Sequence, residues 1–384
     1  MNDNEAMSQG AYAVARAVAP RIHAHFTDHL NAVLGDRADL ASVPDAAAIE
    51  AMIDAAFWAS LRREESYIPK ISLAYLTPGQ SVHPLLLERP LPLDSAALTR
   101  MAPAVERPGI HLGVAMSDGE LRVWGMARAI PRYCFVAEVA EPGLIVIKHH
   151  RGTDTAKFVN VAVLEGDQIK VIDEHASTLP DCPTLLTSLL GFDSPDSWNG
   201  PVNVLVQLAV SMRAHRRGGL LIVVPSAAST WRESIVQPVS YAISPAFSEL
   251  AVLLRQSAGS DRGRAWQEAI ARAVDAVAGL TAVDGATLLT SEYDVLAFGA
   301  KIARRRGQPQ VEQLTLTEPI EGDVAAVVNP AVLGGTRHLS AAQFVYDQRD
   351  AIALVASQDG RFTVFAWSPC ENMVHAHRVE TLLL

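Results

Sequence analysis

The stretch HRRGGLLIVV (215–224) constrains the fold more than any other part of the chain. Leu220 to Val224 are all apolar, with no polar residue alternating among them. A strand built from them must be buried on both faces, because side chains point alternately to the two sides. The preceding residues, VNVLVQLAVSMRAHRR (202–217), have helical apolar spacing, and Gly218-Gly219 ends that helix. SPAFSELAVLL (244–254) and RAWQEAIARAVDAVAGL (264–280) read as further helices. ATLLT (286–290), VLAFGAKI (295–302), AIALVAS (351–357) and FTVFAW (362–367) read as strands. Interleaved helices and strands predict an α/β or α+β fold with a mixed sheet flanked by helices.

Upstream, residues 10–66 read as helical, with apolar spacing over Ala11–Leu34 and Asp45–Glu65. Pro20 is expected to kink or divide the first helix, Gly35 to stop it, and Ser42 or Asp45 to cap the next. Beyond Pro69 come short apolar runs: ISLAYL (71–76), IHLGVAM (110–116), LRVWGMA (121–127), YCFVAEVA (133–140), GLIVIKH (143–149), FVNVAVLE (158–165) and QIKVID (168–173). Turn signals such as Ser117-Asp118-Gly119 separate several of them, which predicts a β-rich module, a small barrel or a sandwich. Residues 180–200, rich in Pro, Asp, Ser and Gly near their end, read as a boundary. The expected organisation is a helical region (1–68), a β-rich module (69–185) and a C-terminal α/β domain (196–384). No internal repeat period emerges.

Hydrophobic residues make up 49% and charged residues 19% of the 384, enough apolar material for a sizeable core. The net charge of −10 argues against a nucleic-acid polymer as partner, since phosphate backbones reward excess Lys and Arg. It leaves room for a small site holding one nucleotide. Cys134, Cys182 and Cys370 are scattered and form neither a disulfide framework nor a zinc site. The N-terminus lacks the basic start of a signal peptide, and no run approaches 18 apolar residues. A cytoplasmic protein without a membrane partner is expected.

Two segments carry chemistry. Asp284-Gly285-Ala286 stands between a long helix and a strand, and Gly334-Gly335-Thr336-Arg337-His338-Leu339-Ser340 precedes a helix expected over 341–346. Glycines and hydroxyl residues at a helix start offer free N–H groups to phosphate. Arg337 can fork two hydrogen bonds to phosphate oxygens, and Thr336 and Ser340 can add their hydroxyls. Asp284 could hold a divalent cation that bridges phosphates, Mg²⁺ or Mn²⁺ when a triphosphate is bound. Gly285 and Ala286 are small enough for a flat base to approach the backbone. Each piece also has a plainer reading: Asp-Gly as a turn, Thr336 or Ser340 as a helix N-cap, and His338 as a structural histidine. Arg304-Arg305-Arg306 with Lys301 reads as a solvated basic loop; His149-His150 and His375/His377 lack a third metal ligand at a supporting spacing, and the terminal-strand pair His375/His377 reads as surface residues.

Together these segments resemble the diadenylate cyclase family. Its members carry a DGA motif, then a Gly-Thr-Arg-His-Arg loop, then a strand ending in a Ser-Glu-Glu turn. This chain has Asp284-Gly285-Ala286, Gly335-Thr336-Arg337-His338 and AIALVASQDG (351–360) in that order, with HRRGGLLIVV and SPAFSELAVLL as counterparts of earlier landmarks. The resemblance spans about 200–367 and implies that Asp284, Gly285, Ala286, Gly335, Thr336, Arg337, His338, Ser340 and Ser357 contact a nucleotide. It departs from the family where Leu339 replaces the second loop arginine, Val283 the histidine before DGA, and Gln358 the first acid of the turn. Losing such groups removes electrostatic stabilisation of phosphoryl chemistry, on the order of 10²–10³ in rate for one group. The chain is therefore similar to divergent DACNV-type sensor domains, whose ligand would be an adenine nucleotide or cyclic dinucleotide. The alternative is an active diadenylate cyclase, which would need two copies facing one another as a homodimer.

Overall fold

A computed structural model describes residues 11–32, 40–63, 68–150, 158–173, 204–256 and 264–384. The chain divides into two compact units, residues 1–172 with Leu384, and residues 173–383. The boundary expected at 180–200 lies outside the described residues.

The first unit opens with α1 (Ala13–Ala32) and α2 (Ala46–Ser60). Asp45 caps α2, accepting from the Ala48 N–H at 2.7 Å. Pro20 stands inside α1 without dividing it, because Val18, Ala19, Ile22 and Phe26 bury a stripe that spans the proline. Then follow β1 (Ser72–Tyr75), β2 (Leu85–Pro92), α3 (Ser95–Val105), β3 (His111–Ser117), β4 (Glu120–Ala127), β5 (Phe135–Glu141), β6 (Leu144–His150), β7 (Phe158–Glu165) and β8 (Gln168–Val171). They form one sheet in the order β2-β4-β3-β1-β5-β6-β7-β8. Only β1 and β3 run parallel, joined by a crossover through α3. Ile22, Ile49, Met52 and Leu98 of the three helices pack on Leu73, Leu112, Phe135 and Ile147 of the sheet in one core. The expected barrel or sandwich is thus an open sheet with helices on one face. The crossover helix occupies that face, and β2 and β8 remain unjoined edges. Strand β2, LLLERPLP, escaped the sequence reading because its prolines belong to an edge.

The second unit contains α4 (Val204–Ala214), β9 (Gly219–Val224), β10 (Tyr241–Phe247), α5 (Glu249–Gln256), α6 (Arg264–Leu280), β11 (Ala286–Thr290) and β12 (Val295–Ala300). After these come β13 (Leu314–Thr317), β14 (Ala326–Val328), α7 (Thr336–Asp347), β15 (Ile352–Ala356), β16 (Phe362–Ser368) and β17 (Met373–Arg378). The sheet order is β10-β12-β11-β9-β15-β16-β17-β13-β14, mixed as expected. Every residue of β9 is buried, as its unbroken apolar run requires. Helix α7 packs Ala341, Ala342, Phe344 and Val345 on Leu220, Ile222, Val224 and Leu288. Helices α4 and α6 pack on each other and reach β15 and β12.

Two expectations change here. Residues 244–247 belong to edge strand β10 rather than to a helix, since Pro245 disfavours helical backbone at Ser244. His375 and His377 are buried rather than surface residues, because β17 lies inside the sheet between β16 and β13. His377 Nδ1 lies 2.7 Å from Thr317 Oγ1, and His375 Nε2 lies 2.8 Å from Glu371 Oε2. Burial, then His375, pushes His377 down to about 3.

Candidate functional site

Strands β9 and β11 are parallel neighbours, with Leu220 opposite Ala286. The turns that lead into them, Arg217-Gly218 and Asp284-Gly285, therefore sit side by side at one end of the sheet. On the other side of β9, Ala356 pairs with Gly219, so the β15–β16 turn that begins at Ser357 joins the same end. The start of α7 completes the cluster. A Cβ on Gly218, whose φ is +70°, would lie 2.7 Å from Arg337 Nη1 and 3.3 Å from the Ala356 carbonyl oxygen. Glycine is required at 218 both by its left-handed backbone and by the guanidinium lying against it.

Asp284 is exposed and ion-paired with Lys301. Lys301 first, and Arg337 after it, hold the Asp284 carboxyl below the usual carboxylate range. Arg337 is half-buried, and its Nε is enclosed with no hydrogen-bond partner. A buried donor without an acceptor is uncommon and costs about 1–3 kcal/mol.

Helix α7 begins at Thr336, earlier than the sequence suggested, with Gly335 as its N-cap and no side-chain capping bond. Neither Thr336 nor Ser340 caps the helix, so the plainer N-cap reading fails. Thr336 is exposed and Ser340 half-exposed beside free helix N–H groups, at the positive end of the helix dipole. His338 turns inward: it is 4% exposed, its ring covers Gly334 and it meets Phe365 edge-on. Burial lowers its basicity, with Arg378, Arg361 and Arg337 adding to that and Asp359 opposing it. Leu339 faces away, into a separate cleft of about 590 Å³ lined by Val327, Asn329 and Ala331.

Gly285 and Ala286 serve the sheet rather than a base. A Cβ on Gly285 would lie 2.4 Å from the Gly299 carbonyl carbon, and Ala286 is wholly buried under α7. Their small size lets two strands approach each other, which is the correction to the expected base floor. Ser357 closes its hairpin through a bond from its N–H to the Arg361 carbonyl at 2.9 Å. Gln358, where the family has an acid, ties the turn to the Arg217 carbonyl at 3.4 Å.

Sequence reasoning missed Lys301 as Asp284's partner and His215, whose Nε2 lies 3.2 Å from Thr281 Oγ1. Seventeen positions separate Asp284 from Lys301, and only the β11–β12 hairpin brings them together. The basic loop is partly committed elsewhere: Arg305 bonds Glu233 at 2.7 Å through Nε and Asp347 at 2.7 Å through its backbone N–H. A cleft of about 310 Å³, lined by Val224, Trp231, Tyr346 and Arg349, opens at the opposite end of β9 and α7.

The donor set fits a divalent cation poorly. Asp284 supplies the carboxylate, Lys301 already occupies it, and no group of three metal-binding side chains occurs among the described residues. What the cluster offers is the Arg337 guanidinium, the exposed Arg217, the Lys301 ammonium beside Asp284, helix N–H groups and hydroxyls, suited to an anionic ligand.

Residues 38–128 match DACNV, a probable sensor domain. The DACNV match runs from before α2 through β4, so it lies in the first unit and does not touch residues 284–340. None of the curated proteins matches the chain. Among solved structures, a hypothetical membrane spanning protein from Bacillus cereus is 16% identical, with a TM-score of 0.26 over 50% of this chain and 70% of its own. DacA from Staphylococcus aureus, as a double mutant, is 14% identical, with a TM-score of 0.24 over 47% and 88%. Among the described residues no helix is long and apolar enough to cross a membrane.

Proposed function

We propose that the second unit is a non-catalytic nucleotide-binding sensor module that receives an adenine nucleotide or cyclic dinucleotide between Asp284 and Arg337. The observation that carries this reading is Arg337. A guanidinium with an enclosed, unpartnered Nε stands at an uncapped helix start, against a glycine that leaves room for it. Phosphate oxygens would supply the missing acceptor and meet the helix N–H groups as well. Thr336, Ser340 and the Ser357 turn would border the ligand, whereas Ala286 and His338 support the loop from inside.

Sensing is favoured over turnover by Lys301 on Asp284. A metal that bridges phosphates would have to displace that ammonium, and Leu339 contributes no charge. The nucleotide reading rests on the second unit's residues, and the DACNV match adds a sensor role for the chain.

Thermal unfolding with ATP, GTP and c-di-AMP tests the proposal. A true ligand at a hundredfold excess over Kd stabilises by about 2.7 kcal/mol. Arg337→Ala should abolish the shift while leaving the protein folded, and incubation with ATP and Mn²⁺ should yield no c-di-AMP. Production of c-di-AMP that Asp284→Asn stops would replace the sensor reading with a cyclase. No shift with any of the three would refute nucleotide binding.

A further inference from the structure

We infer that the chain carries one sheet frame twice, and that the first copy has exchanged the anion site of the second for a polar plug of its own. The first seven strands of one sheet run β2-β4-β3-β1-β5-β6-β7, and those of the other β10-β12-β11-β9-β15-β16-β17. Matched in chain order, β1 to β4 correspond to β9 to β12, and β5 to β7 correspond to β15 to β17. Each neighbouring pair then has the same sense in both. The central pair is parallel (β1 with β3, β9 with β11), and the other five pairs are antiparallel.

The helices follow the same plan. One precedes the first strand (α2, α4), and the crossover to the parallel partner is helical in both (α3; α5 and α6). Local irregularities recur as well. The register shifts in both β3–β4 and β11–β12, where Trp124-Gly125 and Phe298-Gly299 each place a glycine at positive φ behind an aromatic residue. Connection rules leave a small set of topologies for such sheets, and the agreement here extends beyond order and sense. Agreement in order, sense, helix position and bulge is not expected of two unrelated ones.

Beyond the extra crossover helix and the strand beside β7 (β8, against β13 beside β17), the copies differ in one long connection. Between β12 and β15 the second holds residues 301–351, including β13, β14 and α7, whereas between β4 and β5 the first has only residues 128–134. The first copy therefore lacks the counterpart of α7, and the enclosed guanidinium of its short connection, Arg132, lies against the Tyr133 ring. In the second copy α7 covers the face bearing Leu220, Ile222 and Leu288. In the first copy Leu73, Leu112 and Ala137 face the helices, so the alternate residues Ser72, Ala74, His111, Gly113 and Glu138 form the face without one.

That face is closed by its own side chains. The Trp124 indole lies where a Cβ on Gly113 would be, 2.0 Å from the ring, and its Nε1 donates to the Leu76 carbonyl at 2.7 Å. At the sheet end that corresponds to Gly218 and Asp284, Ser72 Oγ and His111 Nδ1 lie 2.7 Å apart, both residues buried. Lys148 is ion-paired with Glu138 and lies 4.6 Å from the centre of the Phe158 ring. The Lys148 ammonium that acts on His111 already has its anion, and among the described residues no helix packs on this face to donate to an incoming phosphate.

The repeated frame stands apart from the nucleotide reading, whereas the count of sites rests on it. Equilibrium dialysis of the full chain with labelled ATP, followed by 8-azido-ATP photolabelling and peptide mapping, tests the count. One ATP per chain is expected, lost entirely in Arg337→Ala, with label confined to residues 204–384. Two ATP per chain, or binding that survives Arg337→Ala and maps to residues 68–173, would overturn the plug. If ATP does not bind at all, the nucleotide reading fails, and an experimental structure decides the frame. Superposition of β1–β7 on their counterparts in one order supports it, and a different order or sense overturns it.

Discussion

Replacing Arg337 with methionine should make the unliganded protein more stable and unable to bind nucleotide, two effects of opposite sign from one side chain. Methionine keeps the apolar stem and removes the guanidinium that lies beside Gly218. The enclosed Nε of Arg337 has no acceptor, and such a donor costs about 1–3 kcal/mol. Against this stands the lost attraction to Asp284, which is small because Asp284 is exposed and already paired with Lys301. A net gain of about 1–2 kcal/mol follows, and in a unit of this size that raises Tm by roughly 2–8 °C. Binding moves the other way. Charge-assisted hydrogen bonds contribute about 1.5–3 kcal/mol each, so losing even one weakens affinity roughly ten- to a hundredfold. Scanning fluorimetry of wild type and Arg337→Met, with and without ATP and c-di-AMP, reads both effects. A variant with lower Tm and unchanged ligand shift would show that Arg337 holds the fold together, and the argument from its missing acceptor would be wrong.

Other outcomes are equally open to measurement. Gly285→Ala forces a Cβ to 2.4 Å from Gly299 at a φ of +116°, so a loss of about 3 kcal/mol is expected in urea unfolding. Asp45→Ala removes the α2 cap and should cost about 1 kcal/mol, with Asp45→Asn recovering most of it. His111 is pushed down to about 4 by burial, then by Lys148 and His150. A histidine with a depressed folded value contributes stability that is complete above its unfolded value of about 6.5 and lost as pH falls towards 4. His111 alone accounts for about 2 kcal/mol of the stability lost between pH 7 and 5, with His377 adding to the loss, so urea melts of His111→Gln should show a slope shallower than wild type by that amount. Lys301→Gln should leave stability within about 0.5 kcal/mol, since the pair is exposed, while bringing Asp284 back towards ordinary carboxylate acidity by NMR titration.

Much of the second unit was legible from local pattern. An apolar run without alternation has one comfortable home, a covered strand, and LLIVV became the fully buried β9. The periodicity over 264–280 gave α6 with those bounds, and Asp45 proved to be a helix cap. Local chemistry decides such features, because propensity, spacing and capping act within a few residues. Partnership was not legible. Whether the smallness of Gly285 serves a ligand or Gly299, and whether Lys301 lies in a solvated loop or on Asp284, depends on strand register. The inward turn of His338 and the burial of His375 and His377 depend likewise on which elements cover them.

The repeated frame marks the same division. No period shows in the sequence, because a strand's place in a sheet requires only alternation and a tolerable turn, which many unrelated residues satisfy. Burial pattern, glycine stops and the order of candidate motifs were determined by the sequence alone. Tertiary structure alone decided that seven strands recur in one order, that a helix covers the matching face in only one copy, and that Arg337 meets Gly218. Those facts are distances between residues far apart along the chain, and no local preference encodes them.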